Sequence, residues 1–117
     1  MSYHALLARL RYNALQLHAL PATVSRQADR KVLRALLTST LATLPQLATH
    51  VLVQTPQPRA ALLDQLPLER AEQALRLLEY QFLALSPGQP APPVLWATLQ
   101  QTLRSVLAEV NATYSLP

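Results

Sequence analysis

The most regular hydrophobic pattern in the chain lies between residues 68 and 85. Its apolar residues recur at steps of three or four, which is the spacing of neighbours on one face of an α-helix. The stripe consists of Leu68, Ala71, Leu75, Leu78, Phe82 and Leu85. Three more apolar positions, Ala74, Leu77 and Leu83, make it wider than the contact surface of a single partner helix. We therefore expect this helix to pack against several others.

Three other segments show the same period, and proline-containing stretches separate them. The first ends before Pro21, because a residue that precedes proline avoids the helical region. Ser25 is the expected N-cap of the second. The predicted helices cover about residues 2–20, 25–54, 59–85 and 93–113.

Two of the predicted helices contain a proline in their interior, Pro45 and Pro67. Proline lacks a backbone donor and distorts the preceding turn. The apolar stripe continues past Pro45, so we expect a kink there, and a break at Thr43 with a new start is the alternative. At Pro67 we expect a kink or a short break, with Asp64 able to cap a second start.

Short connections between the predicted helices favour antiparallel packing of consecutive helices. The sequence therefore predicts an all-α protein with one domain over residues 1–117, an antiparallel up-down-up-down four-helix bundle with proline-kinked helices. Some apolar residues lie at the edges of the stripes, which indicates either a wide core or a surface for self-association. These residues are Leu6, Leu36, Leu77 and Trp96.

The composition argues against an enzyme. The chain has no cysteine, which excludes disulfides, thiolate metal sites and cysteine nucleophiles. Its single glycine is too few for a glycine-rich phosphate-binding loop. His4, His18 and His50 are far apart in sequence, and no acidic residue stands at metal-ligand spacing from them. We expect no catalytic residue, no metal site and no cofactor.

The same composition bears on location. No window approaches the roughly 20 uninterrupted apolar residues of a membrane-spanning helix. The first residues lack the long apolar core of a secretory signal. We therefore expect a cytoplasmic protein without a membrane partner.

The charge pattern favours an anionic partner. Nine Arg and one Lys against six acidic residues give a net charge of +4. Arg26, Arg30 and Arg34 recur every four residues and therefore share one helix face, with Lys31 beside them. Such a stripe is suited to contact with nucleic-acid phosphates. The alternative is a solvated face in which Asp29 pairs with Arg26 or Lys31.

Further cations on other helices complete the candidate site. Arg9 and Arg11 lie on the first helix, which packs next to the second, and they point in different directions around the axis of the first helix. The candidate nucleic-acid-binding residues are Arg9, Arg11, Arg26, Arg30, Lys31, Arg34 and Arg104. No aromatic residue interleaves with these arginines in sequence, so we do not expect bases to stack on this surface.

The order of the helices and several short runs resemble the four-helix-bundle family of 23S rRNA intervening-sequence proteins. Within that family they are most similar to the accessory variability determinant of diversity-generating retroelements. The matching runs are Leu20–Pro21, Arg26 and Arg30, residues 74–78, residues 82–85 and residues 104–108. Leu103 and Ala108 depart from the pattern, because they stand where that family usually has glycine.

The resemblance implies a homo-oligomer in the form of a pentameric ring. It also implies binding to RNA or DNA through basic residues, and a reverse transcriptase as protein partner. A helical protein–protein adaptor or oligomerisation module, with no nucleic-acid role, remains the alternative.

Overall fold

A computed structural model of the chain describes the backbone of residues 2–54 and 58–114 and the side chains of residues 2–52 and 66–114. The described backbone forms four α-helices, which confirms the predicted all-α four-helix bundle. Each helix boundary lies within two residues of the predicted one. The helices are α1, Tyr3–Ala19; α2, Gln27–Gln54; α3, Pro58–Leu83; and α4, Pro93–Tyr114.

The first two helix starts differ in their capping. Ser2 caps α1, since its Oγ accepts a hydrogen bond of 3.2 Å from the backbone N–H of Ala5. In α2 the first helical hydrogen bond joins the N–H of Arg30 to the carbonyl oxygen of Arg26 at 3.0 Å. Arg26 therefore occupies the N-cap position, and the prediction of Ser25 was wrong, because the helical turn begins one residue later.

Both interior prolines lie inside unbroken helices, Pro45 in α2 and Pro67 in α3. The predicted alternative of a break at Thr43 is wrong, and so is a break at Pro67. In α2 the buried side chains of Leu44 and Leu47 flank Pro45, so core packing on both sides opposes the ~3 kcal/mol that an interior proline costs. The predicted cap at Asp64 lies outside the side chains that the structure describes.

The helices follow one another around the bundle. Within the described residues, α1 packs against α2 and α4, α3 packs against the same two helices, and α1 does not contact α3. The helices α2 and α4 also touch across the diagonal. The bundle is elongated, with extents of 49 × 27 × 21 Å.

Two hydrogen bonds between distant residues show that α1 and α4 pack antiparallel, and a third joins α1 to α2. The Tyr3 hydroxyl donates to the carbonyl oxygen of Tyr114 at 3.0 Å, which joins the start of α1 to the end of α4. Gln100 Nε2 donates to the carbonyl oxygen of Pro21 at 2.8 Å, which joins the start of α4 to the residues after α1. Between these ends, Asn13 Nδ2 donates to Ser39 Oγ of α2 at 3.1 Å.

The core consists mainly of leucine from all four helices. Leu6 and Leu36, which the sequence places at stripe edges, are buried in it, whereas Leu77 is 67% exposed. Gln100 of α4 is a polar residue that is also buried. Within residues 2–54 and 58–114, no helix is long and apolar enough to span a membrane.

Candidate nucleic-acid interface

Charge is distributed unevenly among the four helices. Residues 1–57 and 84–117, which contain α1, α2 and α4, carry seven Arg or Lys residues and two acidic residues, a net charge of +5. Residues 58–83, which form α3, carry three Arg and four acidic residues, a net charge of −1. The whole excess of +5 belongs to residues 1–54, which contain α1 and α2, whereas α4 has one Arg and one Glu and is neutral, so the α1–α2 side of the bundle is the positively charged one.

Two arginines at the start of α2 pack over aromatic rings from other helices. The guanidinium carbon of Arg34 lies 4.5 Å from the centre of the Phe82 ring in α3. That of Arg30 lies 5.3 Å from the centre of the Trp96 ring in α4. The two rings contact each other, with centres 4.7 Å apart and planes inclined at 58°. Both distances fall within the range of cation–π interactions.

The cations of the predicted phosphate-contacting stripe differ in their exposure. Arg26 and Lys31 are exposed, but Arg30 and Arg34 are half-buried, because α3 and α4 cover the side of α2 from which they project. No aromatic residue stands between these arginines in sequence, but the fold brings Trp96 and Phe82 against two of them. Both rings are covered by guanidinium groups, so these contacts brace the arginines and provide no free ring for a base.

One acidic residue, Asp29, lies in the first turn of α2 among the cations. Among residues 2–52 and 66–114, no ion pair joins Asp29 to Arg26 or Lys31, which were the partners of the solvated-face alternative. The ion pairs in that part of the chain lie on α3, where Arg76 contacts Glu72 and Glu79, each at 3.4 Å. The exposed cations Arg26 and Lys31 are consequently available to an external anion, with Asp29 beside them.

Arg30 and Arg104 line the same cleft, which we call the loop–α4 cleft. It lies between residues 22–25, the first turn of α2 and the first part of α4, and its volume is about 460 Å³. No acidic side chain contributes to its lining among the described residues. The hydrogen bond from Gln100 to Pro21 ties the loop to α4 beside it. The fold therefore places two cations from different helices around one opening.

Arg9 and Arg11 lie away from this cleft. They precede Asn13, whose amide is hydrogen-bonded to Ser39, so antiparallel packing places them beside the second half of α2. Arg30 lies nine residues before Ser39 in α2, so the two positions are separated by about 14 Å along the helix axis. Arg9 is half-buried and Arg11 is exposed. The structure thus unites Arg26, Arg30, Lys31, Arg34 and Arg104 at one end of the bundle and leaves the α1 arginines outside this group.

The groups that could hold a metal are dispersed. Within the part of the chain that the structure describes, no three His, Asp or Glu side chains are close enough to bind one ion.

Comparisons of the chain with protein-family models, with curated proteins and with solved structures find no match. Function is therefore inferred from the charges, contacts and burial of this chain.

Proposed function

We propose that this protein is a non-enzymatic, nucleic-acid-binding accessory protein that contacts the phosphate backbone of RNA or DNA. The observation that carries the proposal is the charge separation between α3, with a net charge of −1, and the remainder of the chain, with +5. A surface of one sign attracts a polyanion and orients it toward that side of the bundle. The strongest group of cations surrounds the start of α2.

The side chains around the start of α2 supply two kinds of contact. Arg26 and Lys31 are exposed and can follow the phosphate backbone. Arg30 and Arg34 are held over the rings of Trp96 and Phe82, so their binding of a phosphate requires less loss of side-chain freedom. Together they favour sequence-independent binding over the reading of base edges.

The resemblance to the intervening-sequence and retroelement family extends the proposal in two ways. It suggests a homo-oligomer, in the form of a pentameric ring, and it suggests that the protein assists a reverse transcriptase. Copurification of the tagged protein with the reverse transcriptase of a diversity-generating retroelement tests the second part. Retention of the enzyme at moderate salt after nuclease treatment supports a direct contact, and its loss from a washed complex rejects one.

Fluorescence anisotropy of labelled RNA and duplex DNA tests nucleic-acid binding. The test variant replaces Arg26 and Lys31, two exposed cations of the α2 end, by glutamine. The control replaces Arg70 and Arg76, two exposed cations of α3, and removes the same amount of charge. We expect the α2 variant to bind about tenfold more weakly, which corresponds to ~1.4 kcal/mol, and the control to bind like the wild type. Equal losses in both variants would indicate a response to net charge alone, and no binding by the wild type at low salt would reject the function.

A second candidate function is a protein–protein adaptor or oligomerisation module, and an exposed apolar stripe on α3 favours it. Leu77, Tyr80 and Leu83 are 67%, 72% and 69% exposed and lie within two turns of the helix. A stripe of this kind is suited to a partner helix. Light scattering of the protein with Leu77 and Tyr80 replaced by lysine tests this surface, with Val94→Lys in α4 as an exposed apolar control. Loss of an oligomer in the α3 variant alone supports the module, and a wild-type monomer rejects self-association.

A further inference from the structure

We infer that the loop–α4 cleft is a binding site for a single phosphate group. The inference rests on the proposed function, because the cleft would give the nucleic-acid backbone one discrete anchoring point. The cleft is lined by one arginine of α2, Arg30, and by one arginine of α4, Arg104. The guanidinium group of arginine is the side-chain group best suited to bind phosphate oxygens.

Neither guanidinium is engaged with a protein acceptor. Within residues 2–52 and 66–114, Arg30 and Arg104 form no ion pair and donate no side-chain hydrogen bond to protein. Arg30 Nε is buried and meets no acceptor there. A buried donor without a partner is costly and uncommon in folded proteins. An anion in the cleft would lower the free energy of both charges.

Neutral donors of the cleft complement the two charges. Thr23 and Ser25 contribute hydroxyl groups from the loop, and Gln101 contributes an amide from α4. Ser25 lies in the cleft because α2 begins after it, so its hydroxyl does not cap the helix. Phosphate has oxygens for both kinds of donor, and the described lining has no carboxylate to repel it.

The walls of the cleft are anchored on both sides. The Gln100 amide holds the carbonyl of Pro21 at 2.8 Å, and this contact fixes the loop against α4. The Trp96 ring lies beneath the Arg30 guanidinium and restricts its position. Such support from neighbouring groups distinguishes this cleft from cations scattered on a surface, because little has to be ordered when the anion binds.

Titration with inorganic phosphate at constant ionic strength tests the site. Isothermal calorimetry measures affinity, and the fluorescence of Trp96, the single tryptophan of the chain, reports whether the phosphate lies near Arg30. We expect saturable heat and a saturable change of Trp96 fluorescence. Arg104→Gln changes an exposed side chain, so the fold should survive, and affinity should fall by about tenfold or more. Arg70→Gln on α3 is the matched control and should bind phosphate like the wild type.

Two results would overturn the site. One is a wild-type titration that shows neither saturable heat nor a fluorescence change beyond that caused by sodium chloride. The other is an Arg104→Gln variant with unchanged affinity. Far-ultraviolet circular dichroism of each variant establishes that any loss of binding does not come from unfolding.

A pair of oligonucleotides, one with a 5′-phosphate and one with a 5′-hydroxyl, identifies the source of the phosphate group. Preference for the first indicates a terminal phosphate, and equal dependence of both on Arg104 indicates a backbone phosphate. The same pair separates the inference from the proposed function. Binding of inorganic phosphate without binding of either oligonucleotide would support the site and reject the proposed function. Oligonucleotide binding that does not depend on Arg104 would support the proposed function and reject the site.

Discussion

The guanidinium of Arg34 in α2 lies over the ring of Phe82 in α3, with 4.5 Å between the guanidinium carbon and the ring centre. Phe82 is buried, and Arg34 covers one side of it. Arg34 therefore contributes to the stability of the fold as well as to its positive charge. Its aliphatic part extends the core, and its charged end remains at the positive end of the bundle.

A double-mutant cycle between Arg34 and Phe82 tests this contact. Arg34→Ala should destabilise the protein by about 1–2 kcal/mol, because the cation–π contact and the packing of its stem are both lost. In the background of Phe82→Leu the same change should cost about 0.5–1 kcal/mol less. Urea unfolding measures the free energy of unfolding in both backgrounds. The exposed Arg26→Ala should stay within about 0.5 kcal/mol of the wild type, and additive effects of Arg34 and Phe82 would show that the contact is energetically silent.

Gln100 gives a second prediction, since it joins α4 to the loop after α1. Gln100→Ala should lower the free energy of unfolding by about 1–3 kcal/mol, because the carbonyl of Pro21 loses its donor in a half-buried place. The adjacent Gln101→Ala removes the same side chain from an exposed position and should cost less than about 0.5 kcal/mol. Chemical denaturation compares the two. Similar losses would mean that the hydrogen bond does not hold the loop.

Asn13 gives a third prediction. It is buried between α1 and α2 and donates to Ser39 and to Thr40, at 3.1 and 3.3 Å. Asn13→Ala should cost about 1–3 kcal/mol in thermal or urea unfolding. Asn111→Ala is the matched control, since its buried Oδ1 meets no donor among the described residues and its loss should be neutral or stabilising. The reverse order of effects would contradict the packing of α1 on α2.

The register of α3 is tested by two neighbouring leucines. Leu75 is fully buried, and Leu77 is 67% exposed. Leu75→Ala should cost about 2–5 kcal/mol through lost burial and a cavity, whereas Leu77→Ala should change stability by less than about 0.5 kcal/mol. Guanidinium unfolding distinguishes them. Equal costs would show either a different register or a partner that covers Leu77.

The helices were predictable because their evidence is local. Apolar residues three or four apart define the stripe of each helix, and Pro21 ends the first one. The continuity of α2 at Pro45 followed from the stripe that runs past it. The same reasoning could not determine that Ser25 lies outside α2, since the serine N-cap signal does not distinguish adjacent residues of a turn.

The candidate site was predictable in composition but not in geometry. The period of four residues placed Arg26, Arg30 and Arg34 on one helix, and of these Arg30 and Arg34 lie in α2, whereas Arg26 directly precedes it. Their separation into exposed and half-buried residues depends on Phe82 and Trp96, which come from other helices and carry no local signal. The same holds for Gln100, whose hydrogen-bond acceptor, the carbonyl oxygen of Pro21, lies in the loop after α1. Such contacts depend on tertiary packing, which the hydrophobic period of a single helix cannot predict.

The salt dependence of nucleic-acid affinity tests the central claim most directly, because released counterions count the phosphates that the protein neutralises. The measurement is the slope of log K against log salt concentration for a labelled RNA, in the wild type and in the Arg26→Gln/Lys31→Gln variant. We predict a steep negative slope for the wild type and a slope shallower by about 2 for the variant, about 1 for each lost phosphate contact. An affinity that does not change with salt, or identical slopes for the two proteins, would contradict the assignment of the start of α2 as the phosphate-binding surface.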